Sequence, residues 1–99
     1  MRASRGEIKI QEILDSAGLN YQMEYSFPDL VSKTGRELRF DFAVFDDDGE
    51  LQFLIEYQGI QHYEAKNIFG GLEGLRSQQF YDMKKREYCR QHGIILIAI

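Results

Sequence analysis

The stretch Leu38-Arg39-Phe40-Asp41-Phe42, followed after the acidic tetrad Asp46-Asp47-Asp48-Gly49 by Leu54-Ile55-Glu56-Tyr57-Gln58-Gly59-Ile60-Gln61-His62-Tyr63, decides the fold. Two runs of aromatic and branched apolar residues flank an Asp-Gly pair, which is the pattern of a β-hairpin. Side chains alternate along a strand, so Asp41 shares a face with Ala43 and Phe45, and Glu56 shares one with Leu54 and Gln58. If Asp48 and Gly49 form a two-residue turn, Asp47 faces Glu50 and Asp41 falls opposite Glu56. A four-residue loop over the tetrad places Asp41 opposite Leu54 instead, still on the face that carries Glu56.

A carboxylate on the inner face of a small sheet costs several kcal/mol unless it is paired, protonated or bound to a metal. Two carboxylates held together repel unless a proton or a cation lies between them. A hard divalent ion that takes a few carboxylate oxygens and leaves positions for water or phosphate answers that requirement. The alternative is a surface hairpin whose Asp41 and Glu56 face solvent. Gln58 adds an amide on the same face, and His62, just past the strand, is placed for proton transfer near neutral pH.

Working outward, 99 residues with 43% hydrophobic and 28% charged content suit one domain over residues 1–99, with a single core. The lone Cys89 excludes an internal disulfide and fits a reducing compartment. No apolar run approaches the roughly 20 residues that span a bilayer, and the N-terminus carries no signal-peptide pattern. A cytoplasmic protein with no membrane partner is expected. The net charge of −4 runs against a nucleic-acid partner, but its distribution is uneven. Acidic residues gather in the tetrad and at the candidate site, while Arg2 and Arg5 open the chain and Lys84, Lys85, Arg86 and Arg90 cluster near its end.

Ile10, Ile13, Leu14 and Ala17 fall at helical spacing, with Gly18 placed to end that helix. Ser4-Arg5-Gly6-Glu7 before them fits a capping box in which Glu7 reaches back to Ser4. Tyr21, Met23, Tyr25 and Phe27 alternate with polar residues in a first strand expected to end at Pro28. The second strand should run from about Glu37 to Phe45 and the third from about Glu50 to Gln58, giving a three-strand antiparallel meander. Glu64 to Gly74 reads as a loop, and a second helix is expected from about Leu75 to Gln91, closed by Gly93. On it Asp82 and Lys85 share a face, which by itself suggests a surface ion pair. The unbroken run Ile94 to Ile99 reads as a strand buried on both faces. It should pair parallel to the third strand, because the second helix supplies the crossover. A chain that stops inside such a strand either completes its sheet there or is a piece of something longer.

This ordered set of motifs, from Gly6-Glu7 through Phe40-Asp41-Phe42 and Ile55 to Tyr63 to Asp82, Lys85 and Tyr88-Cys89, resembles the nuclease-like proteins of phages and bacteria related to the very-short-patch-repair endonuclease and the EDxHD homing endonucleases. These belong to the PD-(D/E)xK superfamily. The resemblance implies an α/β chain of the α+β type with a restriction-endonuclease-like core, a four-stranded mixed sheet flanked by two helices. It also implies metal-dependent cleavage of DNA. Glu7, Asp41, His62 and Asp82 match the EDxHD positions, and Glu56-Tyr57-Gln58 matches the (D/E)xK element, with Gln58 where the general pattern has Lys. The resemblance therefore implies Mg²⁺ or Mn²⁺ held by Asp41, Glu56 and the carbonyl of Tyr57. His62 or Lys85 would handle the attacking water, and Lys85 would stabilise charge on the phosphate. Lys84, Arg86 and Arg90 would position the duplex through its phosphates, and target choice would come from a homodimer or a separate specificity module. The rivals are a nuclease-fold module that binds nucleic acid without cutting it, and a nuclease for branched DNA.

Overall fold

The computed structural model describes residues 5–57 and 71–99, with side chains omitted at 71–73 and 75. The elements follow in the order α1 (Arg5–Ser16), β1 (Asn20–Val31), β2 (Glu37–Phe45), β3 (Leu51–Glu56), α2 (Gly71–His92) and β4 (Ile95–Ala98). The strands form one sheet in the order β1-β2-β3-β4, antiparallel across the first two pairs and parallel between β3 and β4. This is the mixed α+β sheet expected from the sequence.

The two helices serve opposite faces. Ile10 and Leu14, one helical turn apart on α1, are buried with Phe42, Val44 and Ile55, whereas Cys89 of α2 is buried with Leu30, Phe40, Ala43 and Leu54. Both helices end in the same way, because a chain leaving a helix needs one residue with positive φ to turn back toward the sheet. Gly18 has φ 70, with Leu19 N–H donating to the Leu14 carbonyl at 3.1 Å and Gly18 N–H to that of Asp15 at 3.1 Å. That is a Schellman cap, and Gly93 repeats it on α2, where Ile94 N–H reaches the Cys89 carbonyl at 2.8 Å.

The β2–β3 hairpin reaches the expected pairing by an unexpected route. Gly49 N–H donates to the Asp46 carbonyl at 3.0 Å and Asp46 N–H to the Glu50 carbonyl at 2.9 Å, with Gly49 at φ 83. The connection is thus a turn closed by a left-handed glycine, not a two-residue turn. Phe45 then pairs with Leu51 and Val44 with Phe53, so Gln52 is an extra residue in β3, a bulge that shifts the register by one. From there Ala43 pairs with Leu54 and Phe42 with Ile55. Carried one step past its last pair that register would set Asp41 opposite Glu56, and the two side chains do interact.

Four expectations are corrected. β1 continues through Pro28 to Val31, because β1 is an edge strand and its register shifts between Ser26 and Val31, where a residue lacking an N–H is tolerated. β3 is shorter than expected, ending at Glu56. α2 begins at Gly71 and includes Gly74, a tolerable cost of about 1 kcal/mol for an interior glycine in a long helix. β4 is not buried on both faces: it is the other edge, and Ile95 is 62% exposed while Leu96 is half-buried.

Candidate active site

Asp41 lies where the regular alternation of β2 breaks. Period two would put Phe40 on the face of Phe42, yet Phe40 packs with Ala43 and Leu54 toward α2, and Phe42 packs toward α1. Across the ladder, Met23 pairs with Phe42 and Tyr25 with Phe40, and Glu24 between them has φ 54. A non-glycine residue in that region costs about 1–2 kcal/mol. The exposed ion pair from Glu24 to Arg39, at 3.2 Å, is too solvated to offset much of it. Fully buried Phe40 and Phe42 on opposite faces do more, each contributing about 1.5–3 kcal/mol.

At the break Asp41 is half-buried, and its Oδ2 accepts from the Tyr57 N–H at 2.7 Å. The ring of Tyr57 lies against Gly6 in the first turn of α1, so closely that a Cβ at Gly6 would overlap it. The approach of Tyr57 therefore requires glycine at position 6, next to half-buried Glu7. The capping partner Ser4 lies outside the described residues.

Glu56 is buried beside Asp41 and bonds the ammonium of Lys85, with side-chain exposures of 12% and 14% for Glu56 and Lys85. Lys85 Nζ also sits 5.3 Å from the centre of the Phe40 ring, so the same ammonium meets a carboxylate and an aromatic face. Burial pushes the Glu56 carboxyl up to about 7, Lys85 opposes the rise, and the neighbouring Asp41 adds to it. The same pair reaches Cys89, whose thiol is pushed up to about 11 by burial and then by the charge of Glu56.

Lys85 thus meets the inner carboxylate of β3. Asp82, one turn earlier on α2, is buried and lines with Lys85 a cleft of 370 Å³ between α2 and the β1–β2 connection. Of the residues expected at the site, Asp41, Glu56, Tyr57 and Lys85 come together. Glu7 is half-buried on α1 next to the glycine that meets Tyr57, Asp82 is buried on α2 and lines a cleft with Lys85, and Gln58 and His62 lie outside the described residues. Of the expected phosphate contacts, Lys84 donates to the Val31 carbonyl at 2.5 Å and Arg90 pairs with Glu87, while Arg86 is exposed.

Sequence reasoning missed three parts of this arrangement. The Tyr57 N–H is a backbone group that no residue type announces. The Glu56–Lys85 pair joins residues 29 apart, although Lys85 shares a helical face with Asp82 and with the buried Cys89, which was a usable signal. Gly6 was legible only as part of a motif.

The chain is similar to uncharacterized viral proteins. Protein 094L of Frog virus 3 (isolate Goorha) is 43% identical over 68 residues, which are 67% of this chain and 41% of that protein. Protein 033L of Invertebrate iridescent virus 3 is 27% identical over 99 residues, covering 97% of this chain and 48% of that protein. Protein 307L of Invertebrate iridescent virus 6 is 28% identical over 67 residues, or 67% of this chain and 34% of that protein. The chain spans less than half the length of each. No protein-family model and no solved structure matches it.

The donor set fits a hard divalent cation. Mg²⁺ commonly takes one or two carboxylates and fills its remaining positions with water and substrate phosphate, and Asp41 and Glu56 supply two carboxylates side by side. No group of three His, Cys, Asp or Glu side chains suited to a metal occurs among the described residues, so further ligands would come from the Tyr57 carbonyl, water or substrate. Among the described residues, no helix is long and apolar enough to cross a membrane.

Proposed function

We propose that this chain is a metal-dependent DNA endonuclease domain with a restriction-endonuclease-like core, similar to the very-short-patch-repair and EDxHD group, and acting in the cytoplasm. The observation that carries the reading is the buried meeting of Asp41 and Glu56 on adjacent strands with Lys85 brought in from α2. A folded chain keeps two neighbouring carboxylates and an ammonium in a low-dielectric corner at a cost in stability, and such costs concentrate at functional sites.

Asp41, Glu56 and the Tyr57 carbonyl would hold Mg²⁺ or Mn²⁺, which when bound polarises a phosphate and lowers the pKa of a bound water. The Tyr57 N–H fixes the orientation of Asp41. With Gln58 where the general (D/E)xK pattern has lysine, Lys85 is the cation that this reading assigns to the site. Its ammonium, held on Glu56 in the absence of substrate, would be shared with a phosphate lying over the two carboxylates, where fixed charge stabilises the developing oxyanion. His62 is the proposed general base, a role worth about 10²–10⁴-fold, with Glu7 and Asp82 bounding the site.

One observation favours the non-cutting rival: with a carboxyl raised to about 7 and an ammonium already on it, Glu56 is partly neutral before any cation arrives. The test is cleavage of plasmid, single-stranded and branched DNA with Mg²⁺ and Mn²⁺ by the wild type and by Asp41→Asn. Cleavage by the wild type that the variant lacks supports the enzyme, and no cleavage by either on any substrate refutes it for this chain.

A further inference from the structure

The cleft that holds Asp82 and Lys85 does not stop at them. It shares Tyr81 with a second cleft of 260 Å³ lined by Lys33, Arg76 and Phe80. Together they run along α2 from Arg76 to Lys85, about 13 Å of helix, walled on the other side by the β1–β2 connection with Ser32, Thr34 and Arg36. The lining joins charged side chains to an exposed aromatic ring. Lys33, Arg36, Arg76 and Lys85 put cations along the path, with the carboxylates Glu37 and Asp82 in the same lining and Lys85 held on Glu56, and Phe80, which is 37% exposed, presents an aromatic ring with the Lys33 ammonium 5.3 Å from its centre and Tyr81 against it at 5.5 Å. An apolar contact has no use for four cations, and a bare phosphate site has no use for an exposed ring.

We propose that this groove binds an unpaired segment of nucleic acid, with one base stacked on Phe80 and its phosphates tracked by Arg76, Lys33 and Arg36 toward Lys85. Stacking on an exposed ring tolerates any base but requires that base to be out of a duplex, and a row of cations follows a single backbone. The inference rests on the nuclease reading for its outcome, since Lys85 carries the groove to Glu56 and Asp41. The substrate class that follows is DNA with a single-stranded tail or branch, cut close to the point where the unpaired strand leaves the duplex.

Fluorescence anisotropy in EDTA separates the two ideas, because it needs neither metal nor cleavage. Three labelled probes serve: a 12-nucleotide single strand, a blunt duplex, and the same duplex with an unpaired tail. The wild type should bind the single strand and the tailed duplex more tightly than the blunt duplex. Phe80→Ala should weaken those two by about tenfold, in line with the loss of one stacked base, and leave the blunt duplex unchanged. Phe80→Tyr should restore the affinity, which a merely structural role for an exposed ring would not require. Arg76→Ala should weaken binding and flatten its salt dependence by about one phosphate contact. Equal binding of all three probes, or a Phe80→Ala variant indistinguishable from wild type, overturns the proposal. Phe80-dependent binding without metal-dependent cleavage would keep the groove and refute the nuclease.

Discussion

Replacing Lys85 by methionine removes the ammonium on Glu56 and keeps an apolar stem of similar length, so the variant isolates what the charge does. In the wild type the Glu56 carboxyl rises from 4.5 to about 7 on folding. The folded chain therefore holds this proton more tightly than the unfolded chain, and the group favours folding below its unfolded value. That contribution, about 3 kcal/mol in full, is lost as pH rises through 7. Lys85 is the group that restrains the rise, so without it the carboxyl stays protonated to higher pH. Stability then continues to fall by about 1.4 kcal/mol per pH unit where the wild type has levelled off. The difference between the two proteins from this cause is near zero at pH 5.5, a fraction of a kcal/mol at pH 7 and about 1 kcal/mol at pH 8. Protonation caps the loss below the roughly 3–5 kcal/mol of a stranded buried charge. Urea denaturation followed by circular dichroism at the three pH values, with EDTA present, gives these differences from the midpoints at constant slope. A loss that is independent of pH, or larger at pH 5.5, would refute the reasoning.

Three further outcomes are expected. Asp41→Asn retains an oxygen for the Tyr57 N–H and removes one of two repelling charges, so thermal melting should be unchanged or raised while Mg²⁺-dependent cleavage is abolished. Gly6→Ala puts a methyl into the Tyr57 ring and should cost about 1–3 kcal/mol as that ring is displaced. Its melting temperature should fall although the position is in a helix that alanine ordinarily favours. Phe42→Ala empties a fully buried site against α1 and should cost about 3–5 kcal/mol, read as a lower urea midpoint.

The local pattern determined much of this protein. β2 occupies Glu37–Phe45 as its run of apolar residues requires, both helices end at the glycines that can adopt positive φ, and the parallel pairing of β4 follows from the helix that precedes it. The shared face of Asp41 and Glu56 was likewise legible, because strand side chains alternate and the tetrad limited the turn to a few geometries. What only the tertiary structure decided depends on edges and on distant partners. Among the described residues nothing pairs with the outer side of β1, which lets Pro28 lie within that strand, and nothing lies beyond β4, which leaves it half exposed. The directness of the Asp41–Glu56 pairing rests on the Gln52 bulge, which compensates for the longer turn, and neither can be read from residue types alone. The identity of Glu56's partner was hidden most completely. Asp82 lies three residues from Lys85 in sequence, yet the Lys85 ammonium meets Glu56, 29 residues away, because packing α2 on Phe40 and Leu54 brings it over a carboxylate that burial had already made costly.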